Sequence, residues 1–308
     1  MTTTFDGPAL RVDNVVKRFG SKTAVDGLSF TARRGEILAL LGPNGAGKTT
    51  TIEMCEGFQS PTSGSISVLG LDPTTQGEQV RARIGIMLQG GGSYNSITVC
   101  DMLRLSASYN EDPHDPQWLM ELLRLEGVAK TTYKRLSGGQ KQRLSLALAM
   151  IGRPEMIFLD EPTAGMDAQS RLAVWDIVNA MRNDGTTVIL TTHLMDEAES
   201  LADHVVIVDH GQIVAEGTPS ELTADNAADY LTFETESPFD LAAAEAEGVT
   251  ARSDRPLHYR LDHPASPELI AAVSAEAARQ GVLIRSLGVR HRNLEEVFLD
   301  ITGRELRS

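Results

Sequence analysis

The sequence reads as an α/β chain built on a mainly parallel sheet, with a small antiparallel flap, a helical insert and a second, smaller α+β module at its end. Three observations predict this. Short apolar runs recur at residues 36–41, 84–88, 156–159, 187–190 and 205–208, separated by longer segments of helical period such as 169–182. That is the pattern of strands buried on both faces and joined by crossover helices. Residues up to about 35, and residues 65–69, instead alternate in short stretches punctuated by Arg33-Arg34-Gly35 and Thr62-Ser63-Gly64, which suits an antiparallel flap. After Asp225 lysine vanishes while arginine and alanine dominate, which places a domain boundary there and predicts domains 1–224 and 225–308.

Taken in order, the run ending at Leu41 is a sheet strand followed by a helix over 50–56. Residues 95–150 are helical in pattern. The runs at 156–159, 187–190 and 205–208 are further strands of the same sheet. The tail reads as strand 229–234, helix 239–247, strands 249–252 and 257–261, helix 267–280, strand 282–287 and a last helix from Asn293. This βαββαβ order with an added helix suggests a ferredoxin-like module.

Composition narrows the function. The chain has 308 residues, 41% of them apolar, enough to bury a core in one large and one small domain. A net charge of −14 argues against a nucleic-acid partner, which would favour a basic face. Cys55 and Cys100 stand alone without C-x-x-C spacing, so neither a disulfide framework nor a zinc site is implied and a reducing compartment fits. The first ten residues lack a basic stretch leading into an apolar one, and no window approaches 18 uninterrupted apolar residues. The chain is therefore expected to be neither secreted nor membrane-spanning.

The strongest motif is Gly42-Pro43-Asn44-Gly45-Ala46-Gly47-Lys48-Thr49, which satisfies G-x-x-x-x-G-K-[ST] between an apolar strand and a helix-like run. Glycines let the backbone curl so that successive N–H groups face one anion, and the helix N-terminus adds its partial positive charge. Lys48 suits the β- and γ-phosphates of a nucleotide, and the Thr49 hydroxyl suits Mg²⁺. Alone, this loop leaves kinases, GTPases and many ATPases open.

The other polar signals lie where parallel strands end, the edge at which such sheets hold ligands. The run at 84–88 ends in Gln89, that at 156–159 in Asp160-Glu161, and that at 187–190 passes through Thr191-Thr192 to His193. Asp160 suits a carboxylate holding Mg²⁺, usually through water. Glu161, one step on and facing outward, is placed to accept a proton from attacking water. Gln89 can orient that water or touch Mg²⁺ without adding charge, and His193 can bond the γ-phosphate. A second anion site is expected at Leu136-Ser137-Gly138-Gly139-Gln140. There Ser137 caps the helix that follows, and two glycines expose its first amides.

With Ile157-Phe158-Leu159-Asp160-Glu161 following about 20 residues later, that segment resembles the signature of ABC ATPases. The resemblance covers residues 9–220: a Walker A segment (42–50, including Thr50), a Q-loop at Gln89, the signature at 136–140, Walker B at 156–161, a D-loop Ala164-Gly165-Met166-Asp167 and a switch histidine, His193. It implies a P-loop NTPase (RecA-like) core and two such domains packed head to tail. Each ATP then lies between the Walker A of one and the signature of the other, so hydrolysis requires a homo- or heterodimer. It also implies an aromatic against adenine, for which Phe19 occupies the position where tyrosine is commoner.

The tail, Arg285-Ser286-Leu287 onward through Asn293-Leu294-Glu295-Glu296-Val297-Phe298-Leu299-Asp300-Ile301-Thr302-Gly303-Arg304, resembles the C-terminal extension of bacterial multidrug-type ABC exporter ATPases, the daunorubicin-resistance-like group. Residues 294–301 suit either a helix packed on its own domain or a dimerisation or regulatory surface. The implied protein is a peripheral ATPase subunit at the cytoplasmic face of the plasma membrane, powering efflux through a separate integral membrane permease. Two rivals are a soluble ABC ATPase acting on ribosomes or DNA, and an importer ATPase. The first usually carries two cassettes in one chain or long coiled-coil insertions, absent here, and the tail disfavours the second. An ATPase subunit does not disclose its cargo, so drug, lipid, polysaccharide and peptide stay open.

Overall fold

The opening alternation folds as two antiparallel strands, β1 (Leu10–Phe19) and β2 (Lys22–Ala32), joined by a two-residue turn with Gly20 at φ 58°. This is a computed structural model, and it describes residues 7–87, 95–224, 230–290 and 293–302. β3 (Ile37–Leu41) is buried along its whole length and runs through the phosphate loop into α1 (Lys48–Cys55), which begins two residues before the sequence pattern predicts. β4 (Ser63–Val68) returns to pair with β1, giving an antiparallel flap of order β2-β1-β4.

After α2 (Gly77–Arg81) and β5 (Ile84–Met87) comes the helical insert: α3 (Val99–Ala107), α4 (Pro116–Leu122) and α5 (Gly138–Met150). Thr98, Asp115 and Ser137 each accept a backbone N–H of the first turn of these helices, which sets where each begins. The chain then alternates β6 (Met156–Asp160), α6 (Ala168–Asn183), β7 (Thr187–Thr192), α7 (Met195–Leu201) and β8 (His204–Asp209). β9 (Gln212–Gly217) and α8 (Pro219–Ala224) follow.

The main sheet has order β5-β6-β7-β3-β8-β9, parallel except for the β8–β9 pair. Its inner strands read as unbroken apolar runs because helices and flap cover both faces. β9 is an addition to the predicted set: half-exposed and alternating, it is an edge strand made by a hairpin through His210-Gly211, both at positive φ. The core beneath the flap joins Leu28, Phe30, Met54, Phe158 and Ile189, all buried.

The chain divides into two compact units, one running to Pro219 and the other spanning Ser220–Asp300. The second contains β10 (Tyr230–Thr235), α9 (Leu241–Ala246), β11 (Ala251–Arg255), β12 (His258–Pro264), α10 (Pro267–Arg279) and β13 (Ile284–Arg290). α11 (Leu294–Thr302) follows. Its antiparallel sheet has order β11-β12-β10-β13, the order of a split βαβ pair. Two of its strands begin two residues later than the apolar pattern suggests. Val249 and Val282 are the cause: each packs into this core from the turn before its strand. Phe233, Phe239 and Tyr259 form the centre, with ring centroids 5.0–5.6 Å apart, and the Phe239 N–H donates to the Tyr259 hydroxyl at 2.9 Å. Among the described residues, no helix is long and apolar enough to cross a membrane.

Candidate active site

Three adjacent strands end at one edge of the main sheet, β6 on Asp160, β7 on Thr192 and β3 on Leu41, which leads into the phosphate loop. β7 lies between β6 and β3, with Asp160 opposite Thr191 and Leu41 opposite Thr192. The phosphate loop, Asp160-Glu161 and Thr191-Thr192-His193 therefore leave the sheet side by side, at its carboxyl edge.

The loop's shape demands its glycines. A Cβ on Gly42 would lie 2.2 Å from the Val208 carbonyl oxygen, and one on Gly47 would lie 2.5 Å from that of Ala24 at a φ of 107°. α1 has no side-chain cap, which leaves its leading amides available to an anion. Lys48, only 5% exposed, donates from Nζ to the carbonyl oxygens of Gly42 at 2.6 Å and Pro43 at 3.2 Å. Burial holds its pKa below the usual lysine range, and the charges of Glu161 and Asp160 oppose that shift. An ammonium this enclosed, with carbonyl groups as its hydrogen-bond partners, is suited to an incoming polyphosphate.

Asp160 is buried. It accepts from the Thr49 hydroxyl on Oδ2 at 3.3 Å and from the Thr191 hydroxyl on Oδ1. A hydroxyl and a carboxylate converging beside the phosphate loop form an all-oxygen set that fits a hard cation such as Mg²⁺.

Glu161 departs from its sequence expectation. Strand alternation points it outward; instead its backbone adopts φ 48°. Its N–H donates to Thr191 O and Oγ1, both at 3.1 Å, and its carbonyl accepts from Gln142 Nε2 at 2.7 Å. These contacts hold a left-handed conformation that costs a non-glycine residue roughly 1–3 kcal/mol. The turn brings the carboxylate, 11% exposed, within 3.0 Å of His193 Nδ1.

The remaining predicted residues fall in three groups. Gln89 lies outside the described residues. Ser137 and Gln140 form a reciprocal capping box on α5, with bonds of 3.3 and 2.9 Å. A Cβ on Gly138 or Gly139 would meet nothing within 4 Å, so the fold of this chain does not itself call for glycine there. Among the described residues, no hydrogen bond joins residues 136–140 to the phosphate loop. Finally, Phe19 is 47% exposed with Lys17 Nζ 5.0 Å from its ring centre, and Asp167 caps α6 by accepting from Ser170 N and Oγ. Those two bonds hold the Asp167 carboxyl below the usual range.

Sequence reasoning missed the supports. Thr191 ties Asp160 to the Glu161 backbone, and Gln142 reaches across from α5. Behind them the buried Glu197 accepts from Thr163 Oγ1 at 2.7 Å and Trp175 Nε1 at 3.1 Å, bracing the turn after β6 against α6 and α7. None sits in a motif; each is found only once strands and helices are placed.

Glu56, at the end of α1, is buried too. Burial first, then the Asp160 and Glu53 carboxylates, push it up to about 8 from an ordinary 4.5. Between those values the folded chain holds a proton that the unfolded chain releases, so its contribution to stability falls as pH rises through this window. Glu56→Gln is expected to flatten the dependence. In thermal melts of the nucleotide-free protein, the variant should match wild type near pH 4.5 and melt higher above pH 8. Parallel curves at both pH values would show that Glu56 is not held protonated.

A strand, a phosphate-gripping loop and a helix, with an acidic pair at the end of the next strand but one in the sheet, define a P-loop nucleotide hydrolase. The family model for ABC transporters matches residues 25–164. The daunorubicin resistance ATP-binding protein of Streptomyces coeruleorubidus is 37% identical, over 97% of this chain and 97% of its own length. The Nod factor export ATP-binding protein I of Ralstonia nicotianae is 36% identical over 97% and 95%, and the linearmycin resistance ATP-binding protein of Bacillus subtilis 34% over 97% and 99%. Among solved structures, the ATP-binding subunit of an ABC transporter matches with TM-score 0.65 at 28% identity, covering 70% of this chain and 92% of the other. A dimeric ATP-binding cassette in a post-hydrolysis state, bound to ADP and Pi, shares the fold with TM-score 0.63 at 21% identity over 68% and 98%. The chain belongs to the ABC transporter family, as one of its ATP-binding, ATP-hydrolysing proteins.

Proposed function

We propose that this chain is the ATPase subunit of an exporter. It would work as a homo- or heterodimer at the cytoplasmic face of the membrane, on a separate integral membrane permease. The observation that carries the ATPase chemistry is the convergence of Lys48, Thr49, Asp160, Glu161 and His193 at the ends of three adjacent strands. In this reading the amides of residues 42–50 and the Lys48 ammonium bind the phosphates, and Phe19 stacks on adenine. Thr49 and Asp160, with Gln89, would hold Mg²⁺, which supplies charge neutralisation at the β- and γ-phosphates. Glu161 takes the proton of the attacking water, and His193, bonded to Glu161, fixes that carboxylate and meets the γ-phosphate.

The open space around Gly138 and Gly139 supports action in trans. Glycines that the fold of their own chain does not require leave room for another molecule to approach the exposed amides of α5. Ser137, Gly138, Gly139 and Gln140 of one subunit would then face the γ-phosphate held by the other, with Asp167 beside the junction. Export is supported by likeness along the whole chain, tail included, to ATP-binding proteins named for drug resistance and Nod factor export.

Affinity purification of the tagged chain from detergent-solubilised membranes tests this reading. An integral membrane protein is expected to co-purify in stoichiometric amount; co-fractionation with ribosomes and with no membrane protein would refute it.

A further inference from the structure

At the other edge of the main sheet lies a cavity of about 670 Å³, within the usual range for small-molecule sites. It opens where the strands begin: Glu155 precedes β6, Thr187 starts β7, and Arg34 lies shortly before β3. The length of β6, about 16 Å, separates this edge from Asp160. The cavity is thus distinct from the phosphate site.

Its walls have two origins. Trp118 and Leu122 come from α4, and Met150 ends α5; Ile177 and Met181 face them from α6. Trp118 is 43% exposed, with one side of its indole 4.8 Å from the His114 ring, and Leu122 beside it is also exposed. A half-open indole above an aliphatic floor is a surface for a flat ring system.

Charge sets the sign of the occupant. The two arginines at the cavity each lie by a carboxylate: Arg153 is 3.5 Å from Asp112, and Arg34 is 3.7 Å from Glu155, which it shares with Arg83 at 2.6 Å. Asp176 and Asp184, on and just after α6, line the same cavity and make no ion pair among the described residues. A tryptophan face and two unpaired carboxylates both attract positive charge.

We propose that this cavity binds a flat aromatic cation of drug size. Its rings lie between Trp118 and the Ile177–Met181 side of α6, and its charge is met by Asp176 and Asp184. The site is independent of the phosphate loop, and the inference does not depend on the exporter reading.

Ethidium, a planar aromatic cation, is the probe, followed by fluorescence anisotropy on the full chain without nucleotide. Saturable binding is expected, unchanged in Lys48→Ala. The double variant Asp176→Asn, Asp184→Asn should weaken it by about tenfold, two exposed charges being lost. Ala180→Trp, a change at an exposed lining position, should abolish it by filling the space. The anionic 8-anilinonaphthalene-1-sulfonate should bind more weakly than ethidium. Any of five results would overturn the proposal: no saturable binding, unchanged affinity in the Asp176→Asn, Asp184→Asn variant, equal binding to Ala180→Trp, loss of binding in Lys48→Ala, or tighter binding of the sulfonate.

Discussion

Glu161→Gln is expected to lower steady-state ATP turnover by ~10²–10⁴-fold, the range a lost general base commands, while ATP still binds. The geometry makes this substitution unusually clean. Glu161 is positioned by its backbone, through bonds to Thr191 and Gln142 that any side chain at 161 would keep. Glutamine matches glutamate in shape and can still meet His193, so what disappears is the basic oxygen. In the proposed dimer hydrolysis would stall after ATP has engaged both subunits, so the variant should also accumulate as an ATP-bound dimer, visible by size-exclusion chromatography with light scattering. Phosphate release within a few-fold of wild type would remove Glu161 from the role of base.

Lys48→Ala strikes a different step. The lysine ammonium closes the loop by donating to Gly42 and Pro43 carbonyl oxygens, and it offsets the carboxylates of Asp160 and Glu161 across the site. Without it those two negative charges face a polyphosphate unopposed. Removing one partner of a buried charged contact costs ~2–5 kcal/mol, so nucleotide affinity should fall by about 30-fold or more. Lys48→Arg is not expected to restore it, because a rigid planar fork does not fit a ring sized for one ammonium. Titration with a fluorescent ATP analogue reads the effect directly. Affinity within threefold of wild type would show that the backbone amides alone grip the phosphates.

The two variants also separate what sequence could disclose from what it could not. The phosphate loop is legible because glycines, lysine and threonine follow at fixed spacing between a strand and a helix, although the carbonyls that press on Gly42 and Gly47 come from Val208 and Ala24, far along the chain. Ser137 is legible locally, as the cap of the helix it precedes. The strand ends are legible because an apolar run stops abruptly at Asp160. By contrast, the left-handed turn at Glu161 is imposed by Thr191, 30 residues away, and by Gln142, 19 residues before it. No local pattern encodes such a turn in a glutamate, so strand alternation sends its side chain the wrong way. Edge strand β9 escapes the pattern because its faces are half-exposed, and the pattern starts β11 and β13 early because Val249 and Val282 pack on the core from turns rather than strands. The cavity beside Trp118 belongs to the same class, since its walls come from helices that meet only in the folded chain.

The in-trans site is tested most directly by mixing two variants that are each inactive alone. One is Lys48→Ala. The other is Gly138→Asp, which adds a negative charge to the exposed start of α5, where a carboxylate suits the helix of its own subunit but repels a phosphate presented to it. In a random mixture half the dimers combine one of each and carry one intact site out of two, so turnover should recover to about a quarter of the wild-type value. A mixture that stays as inactive as its components would mean that loop and signature serve the same subunit, and would contradict the account.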